Sequence, residues 1–163
     1  MKEINIAELD PKYNLFKQYG TIALVDNGTR TNGLTIGWGS VGVLWRTNIA
    51  TIYIHKTRFS KEIFDTSKYF SINLFEEKYN EQVGYYGKVS GRDEDKIING
   101  GLEVEIIDGV KTFKEAKYSI ICEKVGQTDF DLNTITLEDI ISWYKGTGVH
   151  TAYFGKILKV VER

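Results

Sequence analysis

Thr31-Asn32-Gly33-Leu34-Thr35-Ile36-Gly37-Trp38-Gly39-Ser40 lies between two strand-like segments, Thr21 to Val25 before it and Ile49 to Ile54 after it. It offers three hydroxyls, one amide, one large flat ring and many backbone N–H groups. Those are the parts needed to hold a flat, heteroatom-rich ligand. Gly37-Trp38-Gly39-Ser40-Val41-Gly42 also matches G-x-G-x-x-G letter for letter. The dinucleotide fingerprint requires a helix directly after the glycines and an acidic residue about twenty positions on. Here Val43-Leu44-Trp45 and Ile49-Ala50-Thr51-Ile52-Tyr53-Ile54 follow, which is β-branched and aromatic strand composition without helical period. The stretch therefore points away from a Rossmann fold. Three strands in quick succession, joined by tight turns, predict an antiparallel meander or barrel.

Working outward, Leu34 and Ile36 lie on one side of a second strand running from Asn32 to Trp38, and Asp26-Asn27-Gly28 reads as the turn before it. Pro11 is the only proline and sits in a polar opening segment ahead of Tyr13-Asn14-Leu15-Phe16. Tyr69 to Phe75 reads as a strand, Leu102 to Ile106 as a strand with its acids outward, Ala116 to Val125 as another, and Thr151 to Leu158 as the closing one. Tyr79, Val83 and Tyr86 form the stripe of an amphipathic helix that Gly87 would end, more in keeping with core packing than with a cofactor contact. Gln127 to Thr134 reads as a polar connection, and Thr136 as the N-cap of a short helix reaching Tyr144. The fold class is mainly β with short helices, in one domain over residues 1–163.

Composition sets the outer bounds. With 42% hydrophobic and 26% charged residues and a net charge of −1, the chain has ordinary globular composition. No basic excess points to nucleic acid or an anionic membrane, and no apolar run approaches a membrane span. Met1-Lys2-Glu3-Ile4-Asn5 lacks the apolar core of a signal peptide. A single cysteine, Cys122, in a strand-like run reads as a buried structural thiol and makes a cytoplasmic location the default. With His55 and His150 as the only histidines, a zinc cluster of the usual ligands is not expected.

Two further stretches carry chemistry. In His55-Lys56-Thr57-Arg58-Phe59-Ser60-Lys61-Glu62-Ile63-Phe64, Ser60 is an N-cap candidate and Phe59 with Phe64 a hydrophobic staple, so a helix is predicted from Lys61. Arg58, Ser60 and Lys61 would gather two cations and a hydroxyl at its N-terminus. That reads either as an anion site or as a solvated charged helix start. Lys88 to Lys96 is a loop by composition, with Lys88, Arg92 and Lys96 set among Asp93, Glu94 and Asp95. It reads either as local surface ion pairs or as a second hand on the same anionic ligand.

Together Asn32 to Ser40, the Tyr53-Ile54 strand running into Arg58-Phe59-Ser60-Lys61-Glu62, Ser90-Gly91-Arg92-Asp93-Glu94-Asp95-Lys96 and His150 to Ile157 resemble the flavin reductase-like, FMN-binding split-barrel family, in particular its flavoredoxin-like branch. Two positions depart from it. Thr47-Asn48 stand where members often carry proline, and Ser60 stands where many have threonine. The resemblance implies an antiparallel split β-barrel that binds FMN at a homodimer interface. By position it implies Asn32, Thr35, Trp38, Gly39 and Ser40 on the ring and ribityl side, Arg58, Ser60 and Lys61 on the phosphate, Ser90, Gly91 and Lys96 completing the site, and His150 near the ring. Lys96 or His150 would tune the flavin, with a purely structural role equally open for His150. The implied activity is transfer of hydride or electrons from NAD(P)H through bound FMN. The alternatives are an electron carrier that exchanges electrons with a redox protein partner, and a split-barrel binding module without redox activity.

Overall fold

The structure, a computed structural model, describes residues 15–163, so the readings placed on Met1 to Asn5 and on Pro11 lie outside the described residues. Its elements in order are α1 (Leu15–Gln18), β1 (Gly20–Asp26), β2 (Thr31–Thr35), β3 (Gly39–Leu44), β4 (Thr47–His55), α2 (Phe59–Thr66), β5 (Tyr69–Phe75), a 3-10 turn (Glu77–Tyr79), α3 (Asn80–Lys88), α4 (Lys96–Asn99), β6 (Val104–Ile107), β7 (Val110–Phe113), β8 (Tyr118–Asp129), a second 3-10 turn (Leu132–Thr134), α5 (Glu138–Tyr144) and β9 (His150–Glu162). Seven strands form one antiparallel sheet in the order β2-β1-β5-β8-β9-β4-β3, and β6 pairs with β7 as a separate hairpin.

Of the expected antiparallel meander or barrel, that order excludes the simple meander and agrees with the split barrel. The β1–β2 and β3–β4 hairpins form as read, but β2 and β3 do not pair; they are the two opposite edges of the sheet. Laid flat, six gaps of about 4.8 Å would separate those edges by about 29 Å. The link between them is only Ile36, Gly37 and Trp38, which spans at most about 14 Å. The sheet must therefore curl until its edges approach. They do not join, so the result is a barrel with a split, and the glycine-rich stretch bridges the split. Ile36 N–H, donating to Thr21 O at 3.0 Å, ties the bridge to β1.

β1 and β5 are buried almost end to end because each faces two cores. Ala23, Val25, Phe70, Ile72 and Leu74 fill the barrel with Ile52, Ile54, Phe64 and Tyr153. Ile22, Leu24 and Phe75 face outward against Val83, Tyr86 and Phe113. Strands buried on both sides lose the alternation that marks a half-exposed strand. The Tyr79-Val83-Tyr86 stripe is thus core packing, as read. Cys122 lies within the barrel core, its thiol pushed up to about 12 by burial.

Several boundaries differ from the sequence reading. β2 stops at Thr35, not Trp38. α2 begins at Phe59 with Arg58 at the N-cap, because Ser60 turns inward, where its Oγ accepts from Asn32 Nδ2 at 2.6 Å. Gly87 lies within α3, which ends at Lys88. Lys96 is not loop but the first residue of α4, whose cap is the Asp95 carboxylate accepting from Ile97 and Ile98 N–H. α5 starts at Glu138 with Leu137 at its cap, not Thr136. β8 runs on to Asp129, into the expected polar connection. Glu105 faces partly inward, paired with Arg163, while Ile106 is exposed, so the acids of that strand do not all face out.

Candidate functional site

The split opens into a cleft of about 540 Å3. One wall is the end of β2 and the bridge, from Leu34 to Trp38. The other is the end of β4 and the start of β9, contributing Tyr53, His55 and His150, with Thr57, Arg58 and Thr147 at the rim. His55 and His150 are direct cross-strand partners, their rings 4.9 Å apart. The imidazole of His150 also lies 4.8 Å from the ring of Trp38.

A second, narrower groove of about 190 Å3 adjoins the first and shares Leu34, Thr35, Thr57 and Arg58 with it. Its walls come from the β4–α2 turn and the α3–α4 connection. Four cationic residues line it, Arg58, Lys88, Arg92 and Lys96, together with the hydroxyl residues Ser60 and Ser90, and among the described residues no carboxylate does. Arg92 is already engaged with Glu62 at 3.0 Å and with Thr57 O at 3.2 Å. Arg58 makes no side-chain hydrogen bond or ion pair among the described residues.

Lys96 is the unusual member. It is only 3% exposed, yet among the described residues no carboxylate neutralises it. Its ammonium donates one hydrogen bond, to Tyr86 O at 2.9 Å, and has two further N–H groups to give. Burial, with Arg58 adding like charge, pushes its pKa down to about 8. A buried cation with unused donors at the wall of an all-cationic groove is complementary to an anion.

The residues singled out from sequence divide accordingly. Thr35 and Trp38 border the wide cleft, and Thr35 also spends its hydroxyl on Val83 O. Asn32, Ser60, Ser90 and Gly91 line the groove with Arg58 and Lys96. Gly91 is required there: a Cβ would sit 2.6 Å from the Phe59 ring and 2.7 Å from Asn32 Oδ1. Three expected residues are not with them. Gly39 and Ser40 belong to the edge strand β3, paired opposite Ile52 and Thr51, and border neither cavity. Lys61 turns the other way, its ammonium 2.9 and 3.0 Å from the Asp65 carboxylate and over the Tyr153 ring. Burial opposes the charge on Asp65, but Tyr153 and Lys61 outweigh it and hold that carboxyl below the usual range. Lys96 stands with Arg58 and Ser60 and not beside Trp38.

The sequence reading missed Tyr53, His55 and Tyr144. His55 entered that reading only as the first residue of the stretch leading to Arg58 and as one of two histidines too few for a zinc cluster. Tyr144 arrives on α5, which also lays Trp143 over Trp38 with ring centroids 6.5 Å apart and 28° between planes. The Tyr144 hydroxyl lies 3.0 Å from His150 Nδ1. Burial, then the neighbouring His55 and Arg58, push the His150 pKa down to about 4, so it is neutral at pH 7.

A family described as Flavin reductase like domain matches residues 16–163. Among curated proteins none matches the chain in sequence. Solved structures similar in fold include the following three. Flavoredoxin from Methanosarcina acetivorans has a TM-score of 0.71 at 19% identity, over 100% of this chain and 76% of that one. An FMN-binding protein from Thermus thermophilus with bound p-hydroxybenzaldehyde has a TM-score of 0.70 at 18% identity, over 89% and 71%. The NADH:FAD oxidoreductase SgcE6 of Streptomyces globisporus C-1027 has a TM-score of 0.68 at 12% identity, over 100% and 88%.

Proposed function

The chain belongs to the flavin reductase-like domain family, and on that premise we propose that it is an FMN-binding flavoprotein that passes hydride or electrons through the bound cofactor. The observation that carries the choice of FMN is the groove: four cations, no carboxylate, and a buried Lys96 ammonium with unused donors, continuous with a flat aromatic cleft. A phosphate fits the first and a three-ring heterocycle the second. Arg58, Ser60, Ser90 and Lys96 would hold the phosphate. Trp38, Tyr53, His55 and His150 would flank the ring, and the Gly37 and Trp38 backbone N–H groups would be available to its carbonyl and nitrogen edge, since Ile36 N–H is taken by Thr21 O.

FMN supplies the redox chemistry when bound; the protein supplies position, electrostatics and solvent access. No side-chain acid or base is needed for hydride transfer to such a cofactor. The physiological donor in this reading is NAD(P)H, which makes the protein a flavin reductase. An electron carrier serving a redox protein partner is the second reading; Arg30 and Arg92, beside an acid-rich depression next to the site, are both paired to Glu62 and so are not free to hold the phosphates of a nicotinamide donor there. The same proposal includes a homodimer. Val43 on β3, Trp45 in the β3–β4 turn, and Leu158 and Val160 on β9 leave apolar surface exposed of the kind that marks an interaction face.

The test is the visible spectrum of purified protein after FMN is added and the sample desalted. Retention of about one flavin per chain, with riboflavin retained far more weakly, supports the assignment; a colourless protein, or equal retention of riboflavin, refutes it. Steady-state oxidation of NADH or NADPH by the loaded protein then separates reductase from carrier.

A further inference from the structure

The two histidines are each held in one tautomer, and the hydrogen bonds say which. His55 Nε2 is 2.8 Å from Gly148 O, and a carbonyl only accepts, so Nε2 carries the proton. His55 Nδ1 then accepts from Thr57, whose backbone N–H is 3.3 Å away and whose Oγ1 is 2.8 Å away. His150 has a different anchor. Tyr144 is a buried residue whose hydroxyl has one partner among the described residues, His150 Nδ1 at 3.0 Å. If Nδ1 were the donor, the phenol O–H would be left without an acceptor in a buried site, which is costly. Tyr144 is therefore the donor and Nδ1 the acceptor.

We propose that Tyr144 is a positioning residue that holds His150 as the Nε2–H tautomer, so that the cleft presents a neutral N–H donor to a hydrogen-bond acceptor of the ligand, such as a ring carbonyl oxygen or a pyridine-type nitrogen. His150 borders the cleft, and its Nε2 has no hydrogen-bond partner among the described residues. It is also not among the buried polar atoms left without a partner, so it opens onto the cavity. An imidazolium is excluded in this arrangement because Nδ1 must keep its lone pair for Tyr144; the depressed basicity of His150 agrees with that. The geometry makes α5 more than a cover. The helix that stacks Trp143 on Trp38 also sets which nitrogen of His150 carries hydrogen.

The identity of the acceptor as a flavin edge rests on the reading above; the tautomer does not. Long-range 1H–15N spectra of the 15N-labelled protein report each imidazole directly, and with only two histidines the signals are assigned by His55→Gln and His150→Gln. The expected result for His150 at neutral pH is a single Nε2–H species. A free imidazole favours that tautomer only modestly, so Tyr144→Phe is expected to mix in an Nδ1–H fraction while the His55 signal stays unchanged. An Nδ1–H form in the wild-type protein, or a His150 signal indifferent to Tyr144→Phe, overturns the proposal. If Tyr144→Phe does not fold, the wild-type tautomer alone decides. On adding FMN the Nε2–H resonance of His150 is expected to shift and that of His55 to hold. A protein that retains flavin by absorbance without that shift overturns the donor role. One that retains no flavin refutes the cofactor reading and leaves the tautomer result to decide this one.

Discussion

Replacing Lys96 by methionine should make the free protein more stable and its hold on FMN weaker. The ammonium of Lys96 is buried with a pKa of about 8, against an ordinary 10.5. At 1.36 kcal/mol per pKa unit, keeping it charged in the fold costs about 3 kcal/mol at neutral pH. Methionine removes that cost but leaves Tyr86 O without its donor, a loss of about 1 kcal/mol. The expected net gain at pH 7 is about 2 kcal/mol. The pH dependence has a definite sign. Because the folded pKa lies below the unfolded one, the unfolded chain binds more protons between pH 8 and 10.5, and wild-type stability rises across that window. Lys96→Met lacks that rise, so its advantage should shrink above pH 8, vanish at about pH 9.5 and reverse to a deficit of about 1 kcal/mol toward pH 10.5, where only the lost hydrogen bond remains. Urea melts of both proteins at pH 7 and pH 10, without flavin, measure this. The affinity should move the opposite way: a charge-assisted hydrogen bond to phosphate contributes roughly 1.5–3 kcal/mol, so Kd for FMN should rise about 10- to 150-fold. Bound phosphate would also return the Lys96 pKa toward its ordinary value. Calorimetry in buffers of different ionisation enthalpy should then show proton uptake on binding between pH 8 and 10. A variant less stable than wild type at pH 7, or with an FMN Kd within threefold of it, would refute the assignment of Lys96 as an unpaired cation waiting for an anion.

Two further changes probe other parts of the site. Ser60→Ala removes the partner of the buried Asn32 Nδ2, so it should lower stability by about 1–3 kcal/mol as well as weaken FMN binding; Ser60→Thr should restore binding, and denaturant melts with flavin titration read both. Val43→Lys places a charge on the exposed apolar edge of β3 and should convert a dimer to monomer in sedimentation without lowering the unfolding midpoint of the isolated chain; an unchanged sedimentation coefficient would remove this edge from the interface.

Local pattern carried the strands well and the arrangement of strands poorly. β5 and the ends of the β1–β2 hairpin were legible because their composition and turn residues are local signals. That β2 and β3 are opposite edges was not legible, because it follows from β4 pairing with β9 some hundred residues away, a partnership no window of sequence contains. The site shows the same division. Arg58 and Ser60 were found because they sit at the start of a helix with recognisable chemistry. Lys61, one residue on, was assigned with them and points instead at Asp65, since on a helix adjacent residues face different ways. Lys96 was read within a loop of mixed charge, either as one of its surface ion pairs or as a second hand on the anionic ligand, and only the resemblance assigned it to the site. Its neighbours Asp93 to Asp95 are indeed exposed, but the Asp95 cap starts a helix there and turns the lysine inward. Tyr144 was invisible as a site residue because only the fold of the excursion between β8 and β9 brings it to His150.

The split in the barrel is what makes the cleft a binding site. Had β2 and β3 paired, their edge N–H and C=O groups would have satisfied one another and the cylinder would have been filled by side chains, as small closed barrels are. The bridge Ile36-Gly37-Trp38 prevents that. It is too short to let the sheet lie flat, and Ile36 N–H is committed to Thr21 O, which holds the bridge to β1 and leaves a gap on its other side. The gap is then lined by the two kinds of group that a closed barrel would have hidden: backbone of a sheet edge, and the large rings of Trp38, Tyr53, His55 and His150. Charge enters this end only through Arg58 at its rim, among the described residues, and gathers in the adjoining groove, where Arg58 and the buried Lys96 have no carboxylate partner among the described residues. A ligand that satisfies both ends must be flat, rich in hydrogen-bond acceptors and apolar-faced at one end, and anionic at the other. Of the two ends the anionic one should dominate affinity, because an ammonium already stripped of water at Lys96 has lost its solvent before the ligand arrives and gains the full contact when it does. The ring end, built from neutral donors and dispersion, should instead govern orientation.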